Sequence, residues 1–148
     1  MLAVVQRVSS ANVEVADPHY FADIGEGLSV LLGIESGDGV DQAHWMARKL
    51  ANLRIFNDTD SKMNRSIVDV SGEILLISQF TLLGDCSKGN RPSFIAAAEG
   101  DKAEPLVDLV GETLFTEHGI RVCKGVFGAK MRVSIVNEGP VTLVIQRD

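Results

Sequence analysis

Short apolar runs separated by polar, turn-forming stretches make up most of the chain, and the runs predict β-strands. The opening LAVVQRVSSANVEVA alternates and is rich in β-branched side chains, which predicts a hairpin of two strands joined around Ser9 to Asn12. GLSVLLGI, bounded by Gly27 and Gly33, predicts a central strand covered on both faces. EILLISQF predicts a second buried strand, and the polar segment NDTDSKMNRS before it predicts a loop.

Two segments instead show helical spacing. Apolar residues recur in this way from Val40 to Leu53, and Asp38 is available as the N-terminal cap. For the second helix, Asp101 and Glu104 have the spacing of a capping box, with Pro105 in or near the first turn. Gly119 is placed to end this helix. Its predicted buried stripe consists of Leu106, Val107, Leu109, Val110, Leu114 and Phe115.

These elements predict an α/β fold with a single domain, residues 1–148, in which mixed β-sheet layers form a barrel or roll. Two main helices pack on one side of the sheet. A chain of 148 residues with 45% hydrophobic residues is long enough to bury one core. No apolar run approaches the length of a membrane span, and Arg7 interrupts the start too early for a signal peptide. We therefore expect a cytoplasmic protein with no membrane partner.

Charge and reactive residues restrict the chemistry. The net charge of −6 argues against nonspecific coating of nucleic acid, although Lys88 and Arg91 remain candidates for a local basic patch, as do Lys124, Lys130 and Arg132. The two cysteines lie far apart and outside any C-x-x-C spacing, so we expect neither a disulfide nor a zinc site. We also expect no metal and no cofactor. The three histidines lie in no motif with a nucleophile, and no phosphate-binding loop is present.

The segment VNEGPVTLVIQ is a strand-like sequence interrupted by Gly139 and Pro140. Proline removes a donor from the sheet and glycine packs no side chain, so the pair marks a turn, a bulge or a close approach of backbone. One interpretation is a hairpin turn from the stretch 131–136 into 141–145. The other is that Gly139 and Pro140 present bare backbone to a ligand.

The segment SQFTLLGD places polar residues where a buried strand ends. Ser78, Gln79 and Thr81 need hydrogen-bond partners there. Either Ser78 and Thr81 bond to the sheet backbone while Gln79 faces water, or these groups bind a ligand.

Five motifs together carry a resemblance to a known family: VVQRV, SQFTLLGD, KGNRPSF, GVFGAKM and NEGPVT, in this order. With them the chain resembles the D-aminoacyl-tRNA deacylase family over nearly its whole length. The resemblance implies a homodimer that hydrolyses the ester between a D-amino acid and the terminal adenosine of tRNA, a proofreading step that recycles the tRNA. It also implies a cis bond at Gly139-Pro140, inserted into the partner's pocket.

Such an enzyme must recognise the configuration at Cα, because the side chains of its substrates differ. A rigid Gly139-Pro140 wall would exclude every L side chain at once, but it has nothing to exclude in glycyl-tRNA, which we expect to be cleaved too. The backbone N–H groups around Phe80 and Thr81 and the Gln79 side chain are our candidates for stabilising the oxyanion. Thr81 is the alternative, as a nucleophile, but no residue that would activate it is evident. The resemblance adds assistance from the ribose 2′-hydroxyl.

The resemblance further implies that Arg7 braces the Gly-Pro segment. The residues it implies for the adenosine or aminoacyl pocket are Ser78, Phe80, Phe127, Ala129 and Met131. Phe127 offers a stacking face for adenine, or it is an ordinary core residue. Lys88 and Arg91 are expected to contact tRNA phosphates. The alternative functions are a tRNA-end or nucleotide binding module without chemistry, and a structural protein whose Gly-Pro pair is only a turn.

Overall fold

The computed structural model describes residues 1–148. The chain forms eight strands, two α-helices and one short 3₁₀ helix, Phe80–Leu83. The strands are β1 (Leu2–Val15), β2 (Tyr20–Ile24), β3 (Gly27–Gly33), β4 (Phe56–Asn57), β5 (Met63–Arg65), β6 (Glu73–Ser78), β7 (Val122–Lys124) and β8 (Arg132–Gln146). The helices are α1 (Val40–Asn52) and α2 (Gly100–His118). Neither helix combines the length and apolar character needed to cross a membrane.

The main sheet is mixed, as predicted. Its order is β2-β1-β3-β6-β7, with β8 on the other edge of β1. Strands β2, β3 and β8 run antiparallel to β1, whereas β3, β6 and β7 are parallel. The sheet curls until β2 meets β7, where the Tyr20 hydroxyl donates to the Lys124 carbonyl at 2.7 Å. The predicted barrel-like α/β fold with two main helices is confirmed.

The central strands are covered on both faces. Ile74 and Leu76 of β6 join the larger core with both helices, whereas Leu75 and Ile77 join a smaller core inside the curled sheet. Strand β3 lies between β1 and β6 and is buried almost throughout, which confirms the prediction for GLSVLLGI. A Cβ at Gly27 would lie 1.8 Å from the Glu73 carbonyl oxygen, so glycine lets β3 and β6 approach.

The predicted turn around Ser9 to Asn12 is wrong. Strand β1 continues through these residues, and the hairpin turn comes later, between Val15 and Tyr20. The register of β1 against β8 shifts between Gln6 and Val8 and again between Val8 and Ser10. A strand can absorb a break in its alternation in this way without reversing. The first part of β1 therefore pairs with β3 and the last part with β2.

Helix α1 has nearly its predicted bounds, but Asp38 does not cap it. The Asp38 carboxylate accepts hydrogen bonds from the Met1 amine and the Glu35 N–H, both at 2.7 Å. Gly39 is the N-cap residue instead, and its N–H donates to the Gln42 side chain at 3.1 Å. A hydrogen bond between an ammonium and a carboxylate is stronger than one from a neutral helix N–H, which agrees with this arrangement.

Helix α2 begins at Gly100, one residue before the predicted capping box, and no side chain caps it. Pro105 lies beyond the first turn, inside the helix. The prediction that Phe115 belongs to the buried stripe is wrong, since 64% of its surface is exposed. The helix ends as predicted at Gly119, whose φ of 66° is left-handed.

The segment predicted as a loop, NDTDSKMNRS, contains a small hairpin of β4 and β5. Its turn closes on Asp58, which accepts hydrogen bonds from the Asn64 side chain and from the Lys62 and Asp60 N–H groups. These bonds, that of Asn64 foremost, lower the pKa of Asp58. Side-chain bonding of this kind makes a turn that a polar composition alone does not distinguish from a loop.

Candidate active site

A cavity of about 410 Å³ opens where β6 ends, between that strand, the start of α2 and the segment that leads into β8. Eleven of its sixteen lining residues are hydrophobic, and Glu99 is its one charged residue. The cavity lining contains Ser78, Gln79, Phe80, Phe127, Ala129 and Met131. These are six of the residues that the sequence motifs single out, and they come from two distant parts of the chain.

The first wall is the end of β6 and the 3₁₀ helix that follows it. The Gln79 N–H still donates to the Leu32 carbonyl at 2.8 Å, so Gln79 is fixed to the neighbouring strand. The chain then turns into the 3₁₀ helix, whose first hydrogen bond runs from the Leu82 N–H to the Gln79 carbonyl. The N–H groups of Phe80 and Thr81 precede this bond in the chain. The first N–H groups of a helix have no partner within the helix.

The side chains of this wall differ in their environment. The Gln79 amide donates to the Thr81 hydroxyl oxygen, which leaves the hydroxyl proton free to donate. Thr81 is exposed and does not line the cavity. The lining contains no histidine or lysine that would take a proton from a hydroxyl nucleophile. The Phe80 ring stands edge-on to Phe94, with centroids 5.1 Å apart, and is 57% exposed.

The second wall is the turn from Val126 to Met131. The Ala129 N–H closes it on the Val126 carbonyl at 3.1 Å, and Gly128 has a φ of 72° that favours glycine. Phe127 is part of the cavity lining, and it also packs against the larger core. The ring reaches α2, where a Cβ at Gly100 would lie 3.5 Å from it.

Gly139 and Pro140 form a bulge within β8, so the hairpin-turn interpretation is wrong. Strand β8 pairs with β1 in one direction on both sides of the bulge, with Asn137 opposite Val8 and Thr142 opposite Gln6. The Gly139-Pro140 peptide bond is cis, and Gly139 has a φ of 130°. The strand continues because the extra residues are looped out rather than used to reverse the chain.

The bulge is held by side chains on both flanks. The Val141 N–H donates to the Asn137 side chain at 3.1 Å. The Arg7 guanidinium donates to the Glu138 carbonyl at 3.0 Å and to the Ile55 carbonyl at 2.7 Å. A Cβ at Gly139 would come within 2.9 Å of the same guanidinium. Arg7 thus connects the bulge to the body of the molecule.

Within one chain, the bulge and the cavity are separate. Gly139, Pro140 and Arg7 do not line the 410 Å³ cavity, and both residues of the Gly-Pro pair are exposed. Arg7 lines a second and more polar pocket, together with Phe56, Arg65 and Glu138. The motifs that line the cavity and the Gly-Pro motif therefore map to different places on the molecule.

Lys88 and Arg91 lie on an exposed loop beyond the first wall, outside the cavity lining. Asp85 and Ser93 close the loop with paired backbone hydrogen bonds of 2.8 and 2.9 Å. Inside it, the Ser87 N–H donates to the Asp85 carboxylate and lowers the pKa of Asp85.

One part of the cavity, made by the start of α2, lies outside all the sequence motifs. Ala98, Glu99 and Gly100 line it, with Ala103 and Val107 from the next turns. The only signal in the sequence is the run of small residues in AAAEG, which leaves room beside a helix start. Leu32, Ile34 and Val133 were also missed, because apolar lining residues do not differ from core residues in sequence.

Comparisons with known proteins agree over the full chain. A family model described as D-Tyr-tRNA(Tyr) deacylase matches residues 4–146. The D-aminoacyl-tRNA deacylase of Geotalea uraniireducens (strain Rf4) is 50% identical over 147 residues, 99% of this chain and 93% of that protein. That of Thermus aquaticus is 52% identical over 145 residues, 98% and 94% of the two chains.

Two solved structures share the fold. One, described as a c-Myc DNA unwinding element binding protein, has a TM-score of 0.92 and is 40% identical in sequence. The match covers 100% of this chain and 99% of that protein's chain. The other, described as a probable eukaryotic D-amino acid tRNA deacylase, has a TM-score of 0.84 and covers 97% of both chains. At 18% identity, it shows similarity of fold alone.

Proposed function

The chain belongs to the D-Tyr-tRNA(Tyr) deacylase family, and we propose that it hydrolyses the ester of D-aminoacyl-tRNA to a free D-amino acid and tRNA. The observation that carries the proposal is the first wall of the cavity, where the N–H groups of Phe80 and Thr81 precede the first bond of the 3₁₀ helix. The aminoacyl end of the tRNA occupies the mostly apolar cavity beside them.

The chemistry needs little more than stabilisation of the oxyanion, because an aminoacyl ester is already activated. Water attacks the ester carbonyl, and the N–H groups of Phe80 and Thr81 and the Gln79 amide stabilise the negative oxygen that forms. One such donor contributes about 10²–10³ in rate. Proton transfer proceeds with help from the ribose 2′-hydroxyl, which agrees with the absence of histidine and lysine from the cavity lining.

Selectivity is proposed to come from the Gly139-Pro140 bulge of a second copy of the chain. The bulge is exposed and lies outside the lining of its own cavity, which supports a role at the cavity of a second copy. Strand β8 pairs on one edge only and exposes Val136 and Val144, the latter to 69%. Unpaired edges and apolar side chains of this kind favour association of two chains. A two-fold dimer would then carry two equivalent sites.

In this arrangement backbone atoms stand where an L side chain would project, so exclusion does not depend on the identity of that side chain. Glycyl-tRNA has no side chain to exclude and is cleaved as well. The products are free amino acid and reusable tRNA, a quality-control step for translation in the cytoplasm.

The direct test compares hydrolysis of one tRNA charged with D-alanine, L-alanine or glycine. The proposal expects catalytic release of D-alanine and glycine while the L-alanyl ester persists. If D-alanyl-tRNA is stable in the presence of the protein, the hydrolase proposal fails. If glycyl-tRNA is as inert as L-alanyl-tRNA while the D ester is cleaved, only the steric account of selectivity fails.

The shared site is tested by mixing two variants in one dimer. Gln79→Ala impairs the cavity, and Gly139→Ala impairs the bulge because the added Cβ would meet Arg7 and Val141 at 2.9 Å. Alone, the Gln79→Ala dimer should be slow with every substrate, and the Gly139→Ala dimer should be active but should not discriminate between D- and L-alanyl-tRNA. A mixed dimer has one site in which both parts are intact, so isolated mixed dimers should hydrolyse D-alanyl-tRNA in preference to L-alanyl-tRNA. Hydrolysis of both esters by the mixed dimers would show that the bulge acts in its own chain or not at all.

A nucleic-acid binding module without chemistry is the second candidate, because the structural relative at 40% identity is described as a DNA element binding protein. The two functions differ in what happens to the ester. A binding module protects D-aminoacyl-tRNA from spontaneous hydrolysis in proportion to its own concentration, whereas a deacylase at trace concentration releases the amino acid with turnover.

A further inference from the structure

A basic patch surrounds Trp45 on the outer face of α1, away from the cavity. We define this Trp45 patch as Trp45, Arg48, Lys49, Asn52, Arg54 and Arg147. A surface pocket of about 370 Å³ is lined by Trp45, Arg48, Lys49, Asn52, Leu53 and Arg54. The Trp45 ring has the Lys49 ammonium 5.2 Å from its centroid and the Arg147 guanidinium 5.4 Å from it.

The pocket of this patch carries positive charge only. Its pocket contains three cationic side chains and no carboxylate, in a chain whose net charge is −6. Arg48, Lys49 and Arg54 are exposed, and none of them forms a salt bridge. Such a concentration of unpaired cations produces a local positive potential that attracts a polyanion.

Nearby acidic residues limit the patch but do not neutralise it. Asp41 and Glu117 line a neighbouring pocket on the other side of Trp45, together with Arg48 and Arg147. Asp69 is close enough to Arg54 that the arginine contributes to lowering the pKa of Asp69, after the larger effects of Ser66 and Arg65. Arg54 also donates to Asn64, to its carbonyl at 2.8 Å and to its side chain at 3.0 Å. Its guanidinium is therefore held in place.

The patch is adjacent along the chain to the residue that anchors the Arg7 brace of the bulge. Arg54 precedes Ile55, whose carbonyl accepts from Arg7 at 2.7 Å, and Arg7 in turn donates to the Glu138 carbonyl beside Gly139. A nucleic acid whose end passes this bulge would reach the patch of the same subunit next. In the proposed dimer, each tRNA would thus place its end in one subunit and its phosphates on the other.

We propose that the Trp45 patch binds the phosphate backbone of the substrate tRNA, behind its aminoacylated end. This inference rests on the proposed function and adds a second contact surface to it. The three cations of the pocket supply phosphate contacts, and their exposed, unpaired state means that phosphates do not have to displace an existing salt bridge. A purely structural role, such as favourable end charge near the C-terminus of α1, would affect stability but not tRNA binding.

The test measures kcat and KM for D-alanyl-tRNA and for D-alanyl-adenosine, which lacks phosphates, with the full-length protein. Replacing both Arg48 and Lys49 with glutamine is expected to lower kcat/KM for the tRNA, relative to that for the adenosine ester, by about tenfold, mainly through KM. The slope of log KM against log salt concentration should fall by about 2, one for each lost phosphate contact.

Lys62→Gln is the matched control for the single variant Arg48→Gln. It removes one exposed cation from the hairpin of β4 and β5, beside Asp58 and outside the patch. If Lys62→Gln changes the tRNA/adenosine ratio and the salt slope as much as Arg48→Gln does, the effect is one of net charge and the proposal is wrong.

Three other outcomes are distinguished. A double variant with unchanged ratio and salt slope overturns the phosphate-binding proposal while leaving the hydrolase intact. If wild-type protein hydrolyses neither ester, the proposed function itself has failed. If the double variant unfolds, the single variants Arg48→Gln and Lys49→Gln are compared instead, and each should reduce the slope by about 1.

Discussion

The two motif regions of the molecule are built in opposite ways. The inward segment, residues 78–83, follows a buried strand and lines the cavity with Ser78, Gln79 and Phe80. Gln79 is fixed to the neighbouring strand through its N–H. The segment 138–141 turns outward from an edge strand, and its side chains are exposed or half-buried. The first forms a wall of the mostly apolar cavity in its own chain, whereas the second lies outside that cavity and reaches only the polar pocket of Arg7, through Glu138.

This difference separates the rate of the proposed reaction from its selectivity. In the proposed mechanism the inward segment supplies backbone donors next to an apolar cavity, which is what an oxyanion requires. The outward bulge has no donor in that space, but it is rigidly held by Arg7 and by the Asn137 side chain. Variants of the first region should therefore slow every substrate alike, and variants of the second should change the ratio between D and L substrates.

The largest expected effect is on the inward segment. Gln79→Ala removes one candidate oxyanion donor and should lower kcat by about 10²–10³ for D-alanyl-tRNA and glycyl-tRNA alike. Gln79→Glu, which keeps the shape but loses the donor, should be at least as slow. Single-turnover hydrolysis measures the effect, and thermal unfolding checks the fold. A normal kcat in either variant would remove Gln79 from the mechanism.

A smaller effect is expected at the base of the bulge. Arg7→Lys keeps the charge, but a single ammonium cannot hold both the Glu138 and the Ile55 carbonyls in the same geometry. Loss of one charge-assisted hydrogen bond should reduce discrimination between D- and L-alanyl-tRNA by about tenfold.

The matched control for Arg7 is Arg65→Lys, in the same polar pocket but bonded to the Asp69 carbonyl. It should leave the ratio of D to L hydrolysis as it is in the wild type. Equal effects of the two variants would mean that any loss of guanidinium hydrogen bonds in the pocket, rather than the brace on the bulge, lowers selectivity.

The sequence predicted the fold well where one pattern determined one element. Strand β3, helix α1 and the end of α2 at Gly119 follow from apolar runs, helical spacing and a left-handed glycine. The prediction failed where one sequence pattern is compatible with two local structures. Ser9 to Asn12 look like a turn, but β1 keeps its direction because shifts of register against β8 absorb the irregularity.

The candidate site shows the same limit. Polar residues at a strand end and the Gly-Pro pair indicated both regions, because such residues need a special reason to be there. The start of α2 gave no such signal, since Ala98, Gly100 and Ala103 are ordinary residues whose small size matters only once Phe127 packs nearby. That the cavity and the bulge lie apart depends on tertiary structure and was not readable from spacing.

The smallest expected effect separates the two mechanisms left open for the inward segment. Thr81→Ala removes a hydroxyl that accepts a hydrogen bond from Gln79 and lies outside the cavity lining. Because only one neutral hydrogen bond is lost, kcat should fall by no more than about fivefold, and the Thr81 N–H remains available to the oxyanion. A nucleophile would instead be indispensable, and its removal would reduce kcat to the level of spontaneous hydrolysis. Single-turnover rates of Thr81→Ala and Thr81→Ser decide between them: a nucleophilic hydroxyl predicts rescue by serine, whereas a site built on backbone donors predicts that both variants stay close to the wild type.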